Sequence, residues 1–159
     1  MSTTEATYLD DGVELTRRIE APAETVFAFF TDPVRFKTWL GIDAEVDPKP
    51  GGEYRILLTD ETRVSACGRY VELDPPRRVV FTWGFEGLEG LPPGASTVEV
   101  TLTPDGEATV VVLRHTGLDG RDWCDFHVWG WNIGLDRLVI AGAGGETSPR
   151  PYDDARPDR

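Results

Sequence analysis

A chain of 159 residues, 40% of them hydrophobic, is long enough to bury a sizeable core and is most simply one domain. Its formal net charge of −12 excludes nucleic acid and anionic membrane surfaces as partners, because either would need a basic patch, and the arginines here are scattered. No apolar run approaches a membrane span and the first residues carry no leader-like pattern, so a cytoplasmic protein is expected, with Cys67 and Cys124 as buried thiols and no metal or other cofactor.

Residues 1–11 are polar and read as a loose lead-in to a single domain over 12–143. Val13, Leu15, Arg17 and Ile19 alternate with Glu14, Thr16, Arg18 and Glu20, the period of a half-buried strand. Pro22 suits the first turn of a helix from Ala21 to about Thr31, with Val26, Phe27 and Phe30 as its apolar stripe. Asp32-Pro33 starts a second short helix, whose Phe36, Trp39 and Leu40 face inward before Gly41 ends it. Strands follow at 44–46, 54–58, 64–73, 79–85, 97–103 and 108–115, separated by Pro/Gly turns, with Pro104-Asp105-Gly106 suiting a tight hairpin. Between Phe85 and Ala95, Leu88 and Leu91 lie on a Gly/Pro-rich loop, which suits either an ordinary hairpin connection or a lid over a cavity. Residues 144–159, rich in proline, glycine and charge, read as a disordered tail.

The stretch from Asp122 to Gly142 predicts one long amphipathic helix. Advancing it at about 100° per residue gathers Asp125, Asn132 and Asp136 on one side, with His127, Trp131, Gly134 and Leu138 opposite. Asp122 stands where an N-cap belongs, Asp125 imitates the acidic partner of a capping box, and the glycines from Gly142 offer a left-handed exit. Gly130 and Gly134 lie one turn apart on the inward side, each costing roughly 1 kcal/mol against alanine. Something must therefore approach the helix closely there: a strand, another helix, or a ligand in a cavity.

The expected architecture is α+β: one strand, two short helices, then a curved antiparallel sheet of six to seven strands in all, wrapped around the long C-terminal helix. A sheet curved around one helix leaves room between them for a pocket. The run Ala21-Pro22-Ala23-Glu24-Thr25-Val26-Phe27, then Asp32-Pro33, Trp39, Gly51-Gly52, Gly68-Arg69-Tyr70, and Pro75-Pro76-Arg77-Arg78-Val79-Val80-Phe81-Thr82-Trp83, resembles the heat-shock ATPase activator homology family. His127, Gly130, Trp131, Leu135 and Leu138 are similar to its terminal-helix pattern. The resemblance runs from about Val13 to Ala141 and implies the helix-grip (SRPBCC) fold of START lipid-transfer domains, plant pathogenesis-related allergens and polyketide cyclases. It implies little about chemistry, since fold does not fix function. Members range from ligand binders and stress-associated proteins to cyclase-like enzymes, and the chaperone activation behind the name belongs to much longer proteins.

The expected function is binding of a small hydrophobic or aromatic molecule between sheet and helix, with Trp83 and Trp131 the best candidates for rings that touch it. Phe81, Tyr54, Tyr70, Gly134 and Leu138 complete the candidate lining. His127 and His115 are either buried histidines bonded to their neighbours or cavity groups able to move a proton in a cyclase- or hydrolase-type reaction. Arg17 either reaches solvent or points into the pocket, where it would need a carboxylate such as Glu53, Glu99 or Asp125, or an anionic ligand. Catalysis has no positive support: there is no nucleophile elbow, phosphate loop, dinucleotide fingerprint or metal cluster, and Gly-Ala-Gly-Gly at 142–145 follows a helix where a phosphate site would precede one. A third reading is a protein-binding module using the outer sheet face, and exposed edge strands would make a homodimer unsurprising.

Overall fold

The computed structural model describes residues 6–154; residues 1–5 and 155–159, which the sequence reads as loose ends, lie outside the described part. In chain order the elements are β1 (Thr7–Leu9), β2 (Gly12–Ile19), α1 (Ala23–Ala28), α2 (Pro33–Phe36), β3 (Asp43–Val46), β4 (Glu53–Leu57), β5 (Ser65–Asp74), β6 (Arg78–Glu86), β7 (Ser96–Asp105), β8 (Ala108–Thr116), α3 (Arg121–Gly142) and α4 (Pro151–Asp154). The strands form one antiparallel sheet in the order β1-β2-β8-β7-β6-β5-β4-β3. This is the helix-grip arrangement, with α3 against one face of an eight-stranded sheet.

The period-two alternation decides which face is buried. In β2, Val13, Leu15, Arg17 and Ile19 are buried, and opposite them in β8 Val111, Leu113 and His115 point the same way. The outer face carries paired charges such as Arg114–Glu14, Arg69–Glu53 and Arg78 with Glu72 and Glu99. Between the sheet and the short helices lies an aromatic core: Trp39 stacks on Phe36, meets Phe30 edge-on, and donates its indole N–H to the Phe29 carbonyl at 2.9 Å. Asp32 caps α2 as expected, its Oδ1 accepting the Val34 amide at 2.9 Å, with Pro33 at the first helical position.

The structure departs from expectation at both ends of the domain. Thr7–Leu9, read as part of a loose lead-in, pairs with β2 as an eighth strand, and the Tyr8 hydroxyl donates to Asp125. The tail, expected to be disordered, returns to the body: Thr147 donates to the Thr38 carbonyl, and Pro151, Tyr152 and Asp153 are buried. Composition misleads here because a few specific contacts, the Tyr152 ring and the bonds of Thr147 and Asp153, anchor the segment, and not its average polarity. The helix α3 begins one residue before Asp122 with Gly120 at the cap, so Asp122 acts in the first turn and Asp125 bonds Arg121 and Tyr8 rather than closing a capping box. At its other end Gly144, at φ +94°, makes the left-handed exit. The sheet edges that suggested dimerisation, β1 and β3, are three and four residues long, short enough to discourage strand addition.

Candidate functional site

The two flanks of α3 are built differently. Along β2 the helix lies in close contact: a Cβ on Gly142 would come within 2.5 Å of Ile19 Cγ2, and the Cys124 thiol reaches the Gly12 carbonyl at 3.8 Å. Arg17 sits on this flank, 6% exposed, donating to Asp136 Oδ1 at 3.0 and 3.1 Å and to Asn132 Oδ1 at 2.7 Å. Arg17 therefore faces inward, but toward the helix's polar side and not into a pocket. The carboxylates considered for it are engaged elsewhere, Glu53 with Arg69, Glu99 with Arg78 and Asp125 with Arg121.

The other flank is open. Between α3, the second half of β6 and the turn joining β4 to β5 lies a cavity of about 900 Å³, open to solvent on one side. Trp83 and Phe85 come from β6, and Phe126, His127, Trp129, Gly130 and Trp131 from α3. Leu58, Thr59, Thr62 and Val64 form the opposite wall, Leu40 and Tyr152 close one end, and Leu88 stands at the mouth. The loop over 87–95 is thus divided: Leu91 is buried in the core, its carbonyl accepting the Phe85 amide, whereas Leu88 is exposed and faces the cavity.

The cavity wall is part of a closed network of rings. Trp83 Nε1–H donates to His127 Nε2 at 3.1 Å, so His127 carries its proton on Nδ1 and donates it to the Trp123 carbonyl at 2.9 Å. Trp131 Nε1–H donates to His115 Nδ1 at 3.0 Å, which puts the His115 proton on Nε2, donating to Ser96 Oγ at 2.8 Å. Ser96 in turn donates to the Trp83 carbonyl at 2.8 Å. The two imidazoles meet edge to face with centroids 4.5 Å apart. Burial lowers the His127 pKa to about 4, the Trp123 carbonyl opposing the shift, and burial followed by the neighbouring His127 drives His115 well below its ordinary value. Both histidines are thus neutral with every nitrogen bonded. Acid-base work would have to break one of these bonds, since neither lone pair points into the cavity.

Of the residues singled out in the sequence, Trp83, His127 and Trp131 line the cavity. Tyr54, Tyr70 and Phe81 form a ring cluster outside the lining, in contact with it through Phe81 and Trp83, with the Tyr70 hydroxyl donating to the Phe30 carbonyl and that of Tyr54 to the Thr82 carbonyl. His115 lies one layer behind the wall and Leu138 is fully buried. Gly134 is covered by the protein's own side chains: a Cβ there would lie 3.0 Å from the Tyr152 hydroxyl, 3.3 Å from Leu40 and 3.4 Å from Trp39. Gly130, by contrast, borders the cavity, and a Cβ there would meet only Tyr152, at 4.0 Å. Sequence reasoning missed Phe126, Trp129 and Tyr152 as lining residues. The first two project from the helix flank between the inward and polar sides, and Tyr152 is in the tail.

The cavity's polar atoms are mostly engaged within the protein. Thr59 and Thr62 hydroxyls bond each other at 2.7 Å, and the Tyr152 hydroxyl donates to the Gly130 carbonyl at 2.9 Å. Asp122 and Asp125 add charge only from exposed positions. What faces the interior is therefore ring and methyl surface. No metal-binding cluster of His, Cys, Asp or Glu exists among the described residues, and no described helix is long and apolar enough to cross a membrane.

A curved antiparallel sheet gripping a C-terminal helix, with an aromatic cluster at their interface, defines a helix-grip module of the SRPBCC type. The chain belongs to the family described as activator of Hsp90 ATPase homolog 1-like protein, whose model matches residues 20–141. It is similar to the AHSA1-like protein of Rhizobium etli, with 34% identity, a TM-score of 0.66, and coverage of 96% of this chain and 92% of that one. It is also similar to DynU16, a protein of the dynemicin biosynthetic locus, with 26% identity, a TM-score of 0.74, and coverage of 91% of this chain and 51% of that one. An uncharacterized protein of Schizosaccharomyces pombe is 25% identical over 95 residues, 60% of this chain; the chain spans about a quarter (26%) of the length of that curated relative.

Proposed function

We propose that the protein binds a small hydrophobic, ring-containing molecule in the cavity between α3, β6 and the β4–β5 turn. The observation that carries this reading is a cavity of about 900 Å³ walled by Trp83, Phe85, Phe126, Trp129 and Trp131, whose threonine, tyrosine and histidine groups are already bonded inside the protein. Such a wall offers a guest burial of apolar surface and ring contacts, and penalises a guest whose polar groups would lose water without finding partners. Membership of DynU16 in a biosynthetic locus fits a small-molecule guest. A cytoplasmic location is part of this proposal, and two free, buried cysteines are in keeping with it.

The uncharged fluorophore N-phenyl-1-naphthylamine tests the proposal. It should bind with enhanced emission and raise the melting temperature in proportion to its concentration over Kd. Gly130→Leu should crowd the cavity beside Tyr152 while gaining up to about 1 kcal/mol of helix propensity, so binding weakens as stability holds or rises. No binding by the parent protein, or equal binding by Gly130→Leu and Trp83→Ala, would sink the reading.

A further inference from the structure

The glycine at 134 leaves room for a ring supplied by the chain itself. Tyr152 lies against α3 with its hydroxyl bonded to the Gly130 carbonyl and 3.0 Å from where a Gly134 Cβ would be, and its ring packs edge-on to Trp129. The residue is 7% exposed and at the same time forms the end wall of the cavity. It comes from a segment that the family model does not reach, since the match ends at residue 141. The seat therefore lies within the matched stretch and its occupant beyond it.

The tail is fastened at two points. Near the start, Thr147 donates to the Thr38 carbonyl and Arg137 bridges Ser148 to the carbonyls of Thr38 and Trp39. Near the end, the Asp60 amide donates to Asp153 Oδ2 at 2.8 Å, and Arg150 pairs with Asp60 at an exposed position. The second fastening is slight: one hydrogen bond to Asp153 and one ion pair at an exposed position, a kind of contact worth little. A ring held in a shaped seat by a segment with so slight a latch can be exchanged.

We propose that the seat of Tyr152 is the inner subsite of the cavity, shaped for a phenolic ring, and that a phenolic ligand takes it by displacing Tyr152 together with its strap. The internal occupant defines the chemistry: a flat ring against Trp129 and a hydroxyl donor aimed at the Gly130 carbonyl. This rests on the cavity being a ligand site, and it adds which class of ligand goes deepest and what must move.

The test uses the full chain, N-phenyl-1-naphthylamine as reporter, and 2-naphthol and 2-methylnaphthalene as competitors of equal ring size. Tyr152→Ala vacates the subsite, and Asp153→Ala loosens the strap while leaving the ring in place. If an occupied subsite is what limits binding, both should bind 2-naphthol about tenfold tighter than the parent, and 2-naphthol should gain more than 2-methylnaphthalene. In the parent protein, saturating 2-naphthol should speed hydrogen exchange at the Asp60 amide, the bond that the strap makes. Reporter binding to the parent with no gain or a loss in both variants would overturn the displaceable subsite, making Tyr152 a fixed wall, and leave the cavity reading intact. Unchanged exchange at Asp60 in the saturated parent would overturn it independently of affinity. Failure of the reporter to bind parent and variants alike would overturn both.

Discussion

The two flanks of α3 use one helix in opposite ways. Toward β2 the chain brings Gly142 onto Ile19 and closes the seam with Arg17, Asp136 and Asn132, so the contact is short, polar at one point and without space. Toward the β4–β5 turn it sets Phe126, Trp129 and Gly130 opposite Leu58 and Val64 and leaves a cavity of about 900 Å³ between them. Stability should therefore concentrate on the first flank and binding on the second, because close-packed surface resists change whereas a lined void tolerates it. The histidine network stands between the two and should respond to pH more than either.

That network offers the largest expected effect. The folded pKa of His127 is lowered to about 4, so the native state stays neutral where the unfolded chain, near its ordinary value of about 6.5, takes up a proton. Its contribution is complete above about pH 6.5 and is lost as pH falls toward about 4, amounting to roughly 3 kcal/mol in all and roughly 2 kcal/mol by pH 5. His115, lowered by burial and by His127, adds a loss of the same sign. Urea titrations at pH 7.5, 6 and 5 should show the midpoint falling in that window, and His127→Gln, less stable at neutral pH, should flatten the slope. A parent midpoint constant from pH 7.5 to 5 would mean that the rings are not held neutral as described.

On the β2 flank, Asp136→Ala removes the carboxylate paired with Arg17 and leaves a nearly buried guanidinium facing Asn132 and the Thr16 carbonyl. Because Asp136 is itself half-exposed, the expected cost is about 2 kcal/mol and not the larger penalty of a fully buried pair. Adding Arg17→Met should bring stability back to within about 1 kcal/mol of the parent, since an apolar side chain fits the same path without an unpaired charge. Affinity for N-phenyl-1-naphthylamine should be unchanged in both proteins. A loss of affinity would show that the flanks are coupled.

The contrast also explains what the sequence revealed. Strand positions such as Val13, Leu15 and Ile19 announce their facing because a period of two admits one solution once a face is buried, and the Asp32-Pro33 cap is a local signal. Local signals end where partners are distant. The sequence leaves Arg17 open between solvent and the interior and puts Asn132 and Asp136 on the polar side of the helix, since a helical wheel does not show how far a long side chain reaches around a flank. The two histidines were legible as facing inward, with bonded core and cavity left as alternatives; that their rings meet follows only from the register that places His115 of β8 beneath His127 of α3. Tyr152 was hidden by neighbours whose composition signals disorder, and β1 by being three residues long. The inward glycines were a true anomaly with two separate answers, the protein's own Tyr152, Leu40 and Trp39 packed over Gly134 and the cavity beside Gly130.

The smallest expected effect on stability sharpens the comparison most. Leu88 stands at the cavity mouth on an exposed loop, so Leu88→Ala removes a side chain already partly in water and should cost no more than about 0.5 kcal/mol, within the range of ordinary surface substitutions. If the mouth limits exit, the dissociation rate of N-phenyl-1-naphthylamine should rise about threefold or more in stopped-flow dilution while association changes less, because affinity differences within one site fall mainly on dissociation. Leu91, on the same loop but buried, should behave in reverse, with Leu91→Ala costing about 2 kcal/mol or more in stability through the cavity it leaves. Two leucines three positions apart would then divide between the functions that the two flanks of α3 divide on a larger scale. Equal effects of both on stability and on dissociation would mean that the loop acts as one unit and that the mouth is not where Leu88 stands.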